Sequence, residues 1–86
     1  MRKWYWDMEW MQGGEHDGAI TCICIYDNYD DEYYTLTWKP DSEETERTIL
    51  ERFILMITEK DPDMLLSWFG WKFDLPKLIE RLEENN

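Results

Sequence analysis

The sequence predicts an α/β fold with the element order βββαβα, in which helices pack on a mixed sheet. Residues 3–39 contain three runs rich in aromatic and β-branched residues, which is typical of strands. The later residues contain two stretches with apolar residues at helical spacing, separated by a short apolar run. Because 86 residues make one small domain, we expect a single domain over residues 1–86.

The three predicted strands run from Lys3 to Glu9, from Ala19 to Tyr26 and from Glu32 to Lys39. Glycines at 13–18 mark a turn after the first strand, and Pro40 ends the third. The second strand is mostly apolar on both faces, so we expect it to lie inside the sheet.

A first helix is predicted from about Ser42 to Lys60, since Asp41 and Glu44 have the spacing of a capping box. The predicted apolar face consists of Ile49, Leu50, Phe53, Ile54 and Ile57. The predicted solvent-facing side includes Glu46, Arg47, Glu51 and Arg52. Asp61-Pro62 is expected to end the helix.

The apolar run from Met64 to Trp68 predicts a fourth strand that is buried on both faces and paired in parallel. Asp74 is placed to start a second helix, with Pro76 in its first turn, where a missing N–H is tolerated. The apolar stripe of that helix is predicted to be Leu75, Leu78, Ile79 and Leu82.

Asp7 and Glu9 form an acidic pair on the first strand. Alternate strand residues share a face, so both carboxylates project to one side with Tyr5, and the opposite side carries Trp4, Trp6 and Met8. Like charges this close repel each other. The pair is therefore suited to binding hard divalent cations through oxygen, although a lone D-x-E is also typical of a solvated strand end. The tryptophans are expected in the core.

Cys22 and Cys24 lie on one face of the second strand. Their C-x-C spacing matches neither a C-x-x-C metal or redox pair nor a mutual disulfide, so we expect buried thiols in a reducing compartment. His16 lies in the glycine-rich turn and is expected to be solvated.

The net charge of −11 argues against binding of nucleic acid by this chain alone, because Lys and Arg supply most of that affinity. If the chain acts on DNA, other surfaces must hold the DNA. The apolar runs are shorter than the roughly 20 residues that span a bilayer, and no signal peptide is evident. We expect a cytoplasmic protein with no membrane partner.

The predicted order of elements is that of the opening of a ribonuclease H-like sheet. In that arrangement the first strand is central, and its acidic end lies beside the loop that follows the fourth strand. We therefore expect Asp7, Glu9 and Asp74 to come together.

Two acidic segments carry a family resemblance: Asp7-Met8-Glu9, and the stretch DPDMLLSWFGWKFDLP at 61–76. They resemble the first two motifs of the 3′–5′ proofreading exonuclease domain of family B DNA polymerases, especially the archaeal members. The second segment is the more specific match. The resemblance implies a ribonuclease H-like (DnaQ-like) fold and a protein of an archaeal or virus-infected cell.

The resemblance also implies two-metal hydrolysis of the primer 3′ end during DNA replication. Asp7 would bridge both metals, Glu9 would bind the metal on the nucleophile side and Asp74 would hold the second, so these three residues would be catalytic as well as metal-binding. Mg²⁺ or Mn²⁺ is expected because both ions prefer oxygen ligands.

The aromatic residues before Asp74 have two possible roles. They could stack a single-stranded 3′ base, or they could fill the interface between sheet and helix or a contact with a partner. The candidate substrate-binding residues are Trp68, Phe69, Trp71 and Phe73.

The sequence departs from the family pattern in several places. Phe69 stands where the second motif has asparagine, and Lys77 where it has tyrosine. The third motif, Y-x-x-x-D on a later helix, has no counterpart, nor do the polymerase palm, fingers or thumb. We therefore expect a partial exonuclease domain that has little or no activity in isolation.

Two interpretations of the function follow. In one, another chain supplies the third motif, and the assembled enzyme binds a single-stranded DNA 3′ end. In the other, the domain is catalytically silent and acts as an assembly or interaction subunit. In both, the fourth strand has an open edge that we expect to pair with another polymerase chain or a second copy.

Overall fold

The computed structural model describes residues 1–39, 45–67 and 75–85, and it confirms the predicted order βββαβα. The strands are β1 (Lys3–Trp10), β2 (Ile20–Asp27), β3 (Glu32–Thr37) and β4 (Met64–Ser67). The helices are α1 (Glu46–Lys60) and α2 (Leu75–Glu84). No helix within these ranges is long and apolar enough to cross a membrane.

The described strands form one mixed sheet in the order β3-β2-β1-β4, so β1 and β2 both lie inside it, as predicted. β2 pairs antiparallel with β1 and with β3, whereas β4 pairs parallel with β1. The parallel pair is possible because α1 lies between β3 and β4 and returns the chain to the opposite end of the sheet. A β-bulge after Glu9 leaves Glu9 opposite Cys22 and Trp10 opposite Ile20.

The hydrophobic core lies on one face of the sheet, where both helices contribute to it. Phe53 of α1 is fully buried, and its ring centroid lies 6.2 Å from that of Trp4 and 5.7 Å from that of Trp6. The predicted inward placement of Trp4 and Trp6 is therefore confirmed. The other large core residues are Met8, Ile20, Ile23, Ile25, Leu36, Trp38, Ile49, Leu50 and Leu78.

β4 is less buried than predicted. Its parallel pairing is confirmed, but the side chains of Met64 and Leu65 are 40% and 41% exposed. The expectation of burial on both faces was wrong because β4 is an edge strand of the described sheet.

The ends of α1 are set by local hydrogen bonds. Its N-cap is Thr45, whose backbone N–H donates to Thr48 Oγ1 at 3.4 Å. The predicted capping residues Asp41 and Glu44 lie outside the described residues. The helix ends where expected, since Asp61 takes the left-handed conformation (φ 46°) and donates its N–H to Ile57 O at 2.8 Å.

The predicted apolar faces of the helices were each one residue too wide. Ile49, Leu50 and Phe53 are buried, but Ile54 is exposed because it lies roughly 100° around the helix axis from Phe53. Likewise, Leu78 of α2 is buried, whereas Ile79 is exposed. Leu82 packs partly against the core as predicted, and the side chain of Leu75 is not among those described.

Glu46 was predicted to face solvent, and this prediction was wrong. Only 6% of the residue is exposed. Its carboxylate is directed at β2 and α2, where it accepts hydrogen bonds from the Ile20 N–H and from Arg81.

Candidate functional site

The acidic pair lies on the face of β1 that points away from the core. Asp7 and Glu9 are exposed, as predicted, while the alternating residues Trp4, Trp6 and Met8 are buried. The same strand therefore anchors itself in the core with one set of side chains and presents two carboxylates with the other.

A buried carboxylate holds the start of β1 in place. Asp27, at the end of β2, is fully buried. One of its oxygens accepts hydrogen bonds from the Trp4 indole N–H at 2.9 Å and from the Arg2 guanidinium, and the other accepts the backbone N–H of Tyr29 at 2.8 Å. No pattern in the sequence had singled out Asp27 for this role.

The thiols of β2 lie beside the acidic pair. In the antiparallel register Cys24 is opposite Asp7 and Cys22 is opposite Glu9. Cys24 is exposed and Cys22 half-buried, so the expectation of buried thiols was wrong. It assumed that both faces of β2 are covered, whereas in the described part of the chain both helices contribute to the core on the other face.

The two sulfur atoms are 3.5 Å apart. Burial, the hydrogen bond with Cys24 and the nearby charges of Glu9 and Asp7 together raise the pKa of the Cys22 thiol to about 11. Cys22 is therefore a protonated thiol near neutral pH, and a thiol is a poor ligand for Mg²⁺ or Mn²⁺.

A row of aromatic side chains crosses the open face next to Asp7. Tyr5 pairs with Tyr26, which pairs with Tyr33, and Leu66 of β4 extends the row on the other side of Tyr5. The ring centroids of Tyr26 and Tyr33 are 4.7 Å apart. These side chains, with Asp7 and Cys24, line an open cavity of about 610 Å³ that sequence reasoning had not identified.

Of the second motif, the structure describes residues 61–67 and 75–76. Trp68, Phe69, Trp71, Phe73 and Asp74 lie outside the described residues, so their predicted meeting with Asp7 and Glu9 stays a prediction. The elements on either side of that segment can be placed.

Both flanking elements contact the strand that carries the acidic pair. β4 ends at Ser67, which lies opposite Trp6, the neighbour of Asp7. On α2, Lys77 Nζ lies 5.5 Å from the ring centroid of Trp10, the residue after Glu9. The end of β4 and the first turn of α2 therefore both lie beside the half of β1 that carries Asp7 and Glu9.

Within residues 1–39, 45–67 and 75–85, no three side chains of the types His, Cys, Asp and Glu are arranged to hold a metal ion. Asp7 and Glu9 by themselves offer oxygen donors on one exposed face, the donor chemistry that Mg²⁺ and Mn²⁺ require. The pair fits part of such a site, and at least one further oxygen ligand would have to come from elsewhere.

His16 does not extend the acidic site. It is half-buried rather than fully solvated, and its ring packs edge-on against Trp38 with centroids 5.5 Å apart. Trp38 belongs to the core face, which is opposite to the face of Asp7 and Glu9.

Residues 8–86 match the sequence model of a family described as DNA polymerase family B, exonuclease domain. The chain is 36% identical over 77 residues to a DNA polymerase of Thermococcus aggregans, covering 83% of this chain and 4% of that protein. It is 34% identical over 77 residues to a DNA polymerase of Thermococcus sp. strain 9oN-7, covering 83% and 10%.

The fold resembles part of a solved structure, the family B DNA polymerase of Pyrobaculum calidifontis. The TM-score is 0.75 at 20% sequence identity, and the match covers 95% of this chain and 11% of that one. The α/β architecture of the described strands and helices is consistent with a ribonuclease H-like exonuclease fold. The chain spans between 4% and 11% of the length of these relatives.

Proposed function

Because this chain belongs to the DNA polymerase family B exonuclease domain family, we propose that it forms part of a 3′–5′ exonuclease site that hydrolyses the 3′ end of a DNA primer strand. The observation that carries the proposal is the placement of Asp7 and Glu9, side by side on the exposed face of an interior strand whose other face is buried.

In this proposal Asp7, Glu9 and Asp74 would hold Mg²⁺ or Mn²⁺ ions. Such ions supply charge stabilisation at the attacking and leaving oxygens and lower the pKa of a bound water. The role of the chain is to position the ligands. Burial of Trp4 and Trp6 fixes β1 against the core, so the carboxylates of Asp7 and Glu9 are held at a set spacing before any metal binds.

The open face next to Asp7 leaves room for a substrate strand. The cavity lined by Tyr5 and Tyr26 is directly beside Asp7 and is mostly apolar. The proposed substrate-binding residues Trp68, Phe69, Trp71 and Phe73 would add to it from the second motif. If Trp71→Ala leaves binding of single-stranded DNA by the assembled enzyme unchanged, the stacking role of that residue is wrong.

The proposed site also needs a tyrosine and a fourth carboxylate from a Y-x-x-x-D segment. We propose that another polymerase chain supplies that segment. We propose that the other polymerase chain, or a second copy of the 86-residue chain, docks at the exposed edge of β4. Because catalytic groups that act as a unit fail together, the 86-residue chain should degrade single-stranded DNA weakly or not at all. Addition of an exonuclease fragment that carries the third motif should increase the rate.

Titration with Mn²⁺ by calorimetry tests the proposal. The unmodified chain should bind Mn²⁺, and an Asp7→Ala, Asp74→Ala double variant should not. Glu59→Gln, which removes an exposed acid from α1, is the matched control and should bind as the unmodified chain does. Equal binding by the double variant and the control would refute the proposed site.

A second candidate function, a catalytically silent interaction subunit, is favoured by one observation. Among the described strands β4 lies at the edge of the sheet, and the apolar side chains of Met64 and Leu65 are half exposed there, a combination that recruits further strands. If the unmodified chain binds no Mn²⁺ but associates with a polymerase fragment, this second function replaces the first.

A further inference from the structure

Cys22 and Cys24 place two thiols side by side on the face of β2 that points away from the core. Ile23, between them, is fully buried, so the residues on either side of it project to the opposite face. β2 is paired with β1 and with β3, which fixes the backbone that carries both cysteines. Their sulfur atoms are 3.5 Å apart, and Cys24 is exposed.

The separation of the two sulfur atoms suits a bridging metal ion. With Zn–S bonds of about 2.3 Å and tetrahedral angles, two sulfurs on one Zn²⁺ lie about 3.8 Å apart. The observed 3.5 Å therefore needs only a small outward movement of the side chains.

A disulfide between the same residues is disfavoured by the strand. The Cα atoms of bridged cysteines are most often about 5.5–6 Å apart, with side chains that converge. Residues two positions apart on a strand have Cα atoms about 6.6–6.8 Å apart and parallel side chains. Because β2 is held by neighbours on both sides, its backbone cannot shorten easily, whereas a metal ion spans the longer distance.

The donor chemistry selects a different class of ion from the one that the acidic pair suits. Soft thiolate ligands favour ions such as Zn²⁺ over Mg²⁺ and Mn²⁺. The raised pKa of the Cys22 thiol weakens binding but does not prevent it, because a coordinating thiol is deprotonated outright.

Two carboxylates add negative charge next to the thiols. Asp7 is opposite Cys24 and Glu9 is opposite Cys22, and both charges act on the Cys22 thiol. The negative potential that disfavours a thiolate attracts a divalent cation. Within residues 1–39, 45–67 and 75–85 no third side chain is arranged to complete a metal site, so water would take the remaining positions, in the open cavity that Cys24 helps to line.

We propose that Cys22 and Cys24 bind one Zn²⁺ ion through both sulfur atoms, beside the acidic pair and separately from it. The carboxylates of Asp7 and Glu9 strengthen binding by their charge and do not ligate the ion. The proposal does not depend on the proposed exonuclease function.

Metal titrations of the reduced chain test this site. The unmodified chain should bind one Zn²⁺ in calorimetry, and with Cd²⁺ it should show the ultraviolet charge-transfer band of cadmium–thiolate bonds. Cys24→Ser removes one sulfur at an exposed position, so it should lose most of the Zn²⁺ affinity and part of the band; Cys22→Ser should do the same. Thr35→Ser, on the exposed β3 residue opposite Cys24, is the matched control and should change neither.

An Asp7→Asn, Glu9→Gln double variant separates the thiols from the acidic pair. It should keep the charge-transfer band and bind Zn²⁺ more weakly. Zn²⁺ binding that survives both cysteine variants but is lost in this double variant would place the ion on the carboxylates and overturn the proposal. Absence of Zn²⁺ binding by the reduced, unmodified chain would also overturn it, and neither result would bear on Mn²⁺ binding at the proposed exonuclease site.

Discussion

The indole N–H of Trp4 donates a 2.9 Å hydrogen bond to the carboxylate of Asp27, and both residues are fully buried. The bond ties the start of β1 to the end of β2. Burial raises the pKa of Asp27, but hydrogen bonds from Asp30, Trp4, Arg2 and Tyr29 lower it further than burial raises it, to about 2. The folded state therefore favours the ionised carboxylate.

The stability of the protein should fall in acid because of Asp27. Its folded pKa of about 2 lies below the ordinary value of 3.8, so its contribution is complete above pH 3.8 and is lost as the pH falls toward 2. Asp27→Asn should lower the free energy of unfolding near neutral pH by about 2 kcal/mol and flatten this acid dependence. Denaturant titrations across this range measure both effects.

Glu59→Gln is the control for this prediction, because Glu59 is exposed on α1. It should keep the neutral stability and the acid dependence of the unmodified chain. An Asp27→Asn variant with the same acid dependence as the control would show that Asp27 does not carry the effect.

Phe53→Ala should destabilise the fold severely. Phe53 is fully buried between Trp4 and Trp6, so truncation removes two aromatic contacts and leaves a cavity beneath β1. A loss of about 3–5 kcal/mol in the free energy of unfolding is expected. Leu55→Ala, at an exposed position of the same helix, should cost much less. Similar losses in the two variants would mean that α1 does not cover β1 in solution.

The edge of β4 should govern association. If another strand pairs there, Leu65→Lys should reduce self-association, or association with a polymerase fragment, in sedimentation velocity experiments. Lysine also lowers the negative net charge, so a loss of association cannot come from increased repulsion between chains. Leu55→Lys, on α1, is the control. If Leu55→Lys reduces association and Leu65→Lys does not, the interface lies on α1 and not at the edge of β4.

The two cysteines should react at different rates. Cys24 is exposed, whereas Cys22 is half-buried with a pKa raised to about 11. Iodoacetamide should therefore modify Cys24 first at mildly alkaline pH, and modification of Cys22 should accelerate as the pH rises toward 11. Peptide mass spectrometry of a time course distinguishes the two sites. Faster modification of Cys22 than of Cys24 would contradict the described face of β2.

Local periodicity predicted a large part of this fold. Alternation in β1 correctly separated Trp4 and Trp6 from Asp7 and Glu9, because strand side chains obey a two-residue period whatever they pack against. The helical spacing of Ile49 and Phe53 was equally reliable, since burial of that stripe is what stabilises the helix.

Contacts between distant residues were not predictable in this way. Glu46 owes its burial to Arg81, which is 35 positions away, and Asp27 owes its burial partly to Arg2, which is 25 positions away. A signal for Glu46 was nevertheless present. Glu46 lies three positions before Ile49 and seven before Phe53, so it shares the apolar face of the helix. A charged residue on that face indicates a buried ion pair rather than a solvated side chain.

The errors on β4 and on the thiols had a common cause. Both predictions inferred burial from apolar composition, but composition does not say whether a neighbouring layer covers a given strand or face. The acidic pair of the candidate site was predicted from spacing alone, whereas the position of Asp74 stays a prediction because it lies outside the described residues.

The alternation of β1 also limits which insertions and deletions the chain can accept. Adding or removing one residue within Lys3–Trp10 would invert every later side chain of the strand, burying a carboxylate where a tryptophan belongs. The turn at 11–19 carries no such constraint, because it is mostly exposed and is closed by backbone hydrogen bonds from Met11 to Ala19 and from Gly18 to Met11. Length changes in related chains are therefore expected in that turn and not in the strand that precedes it.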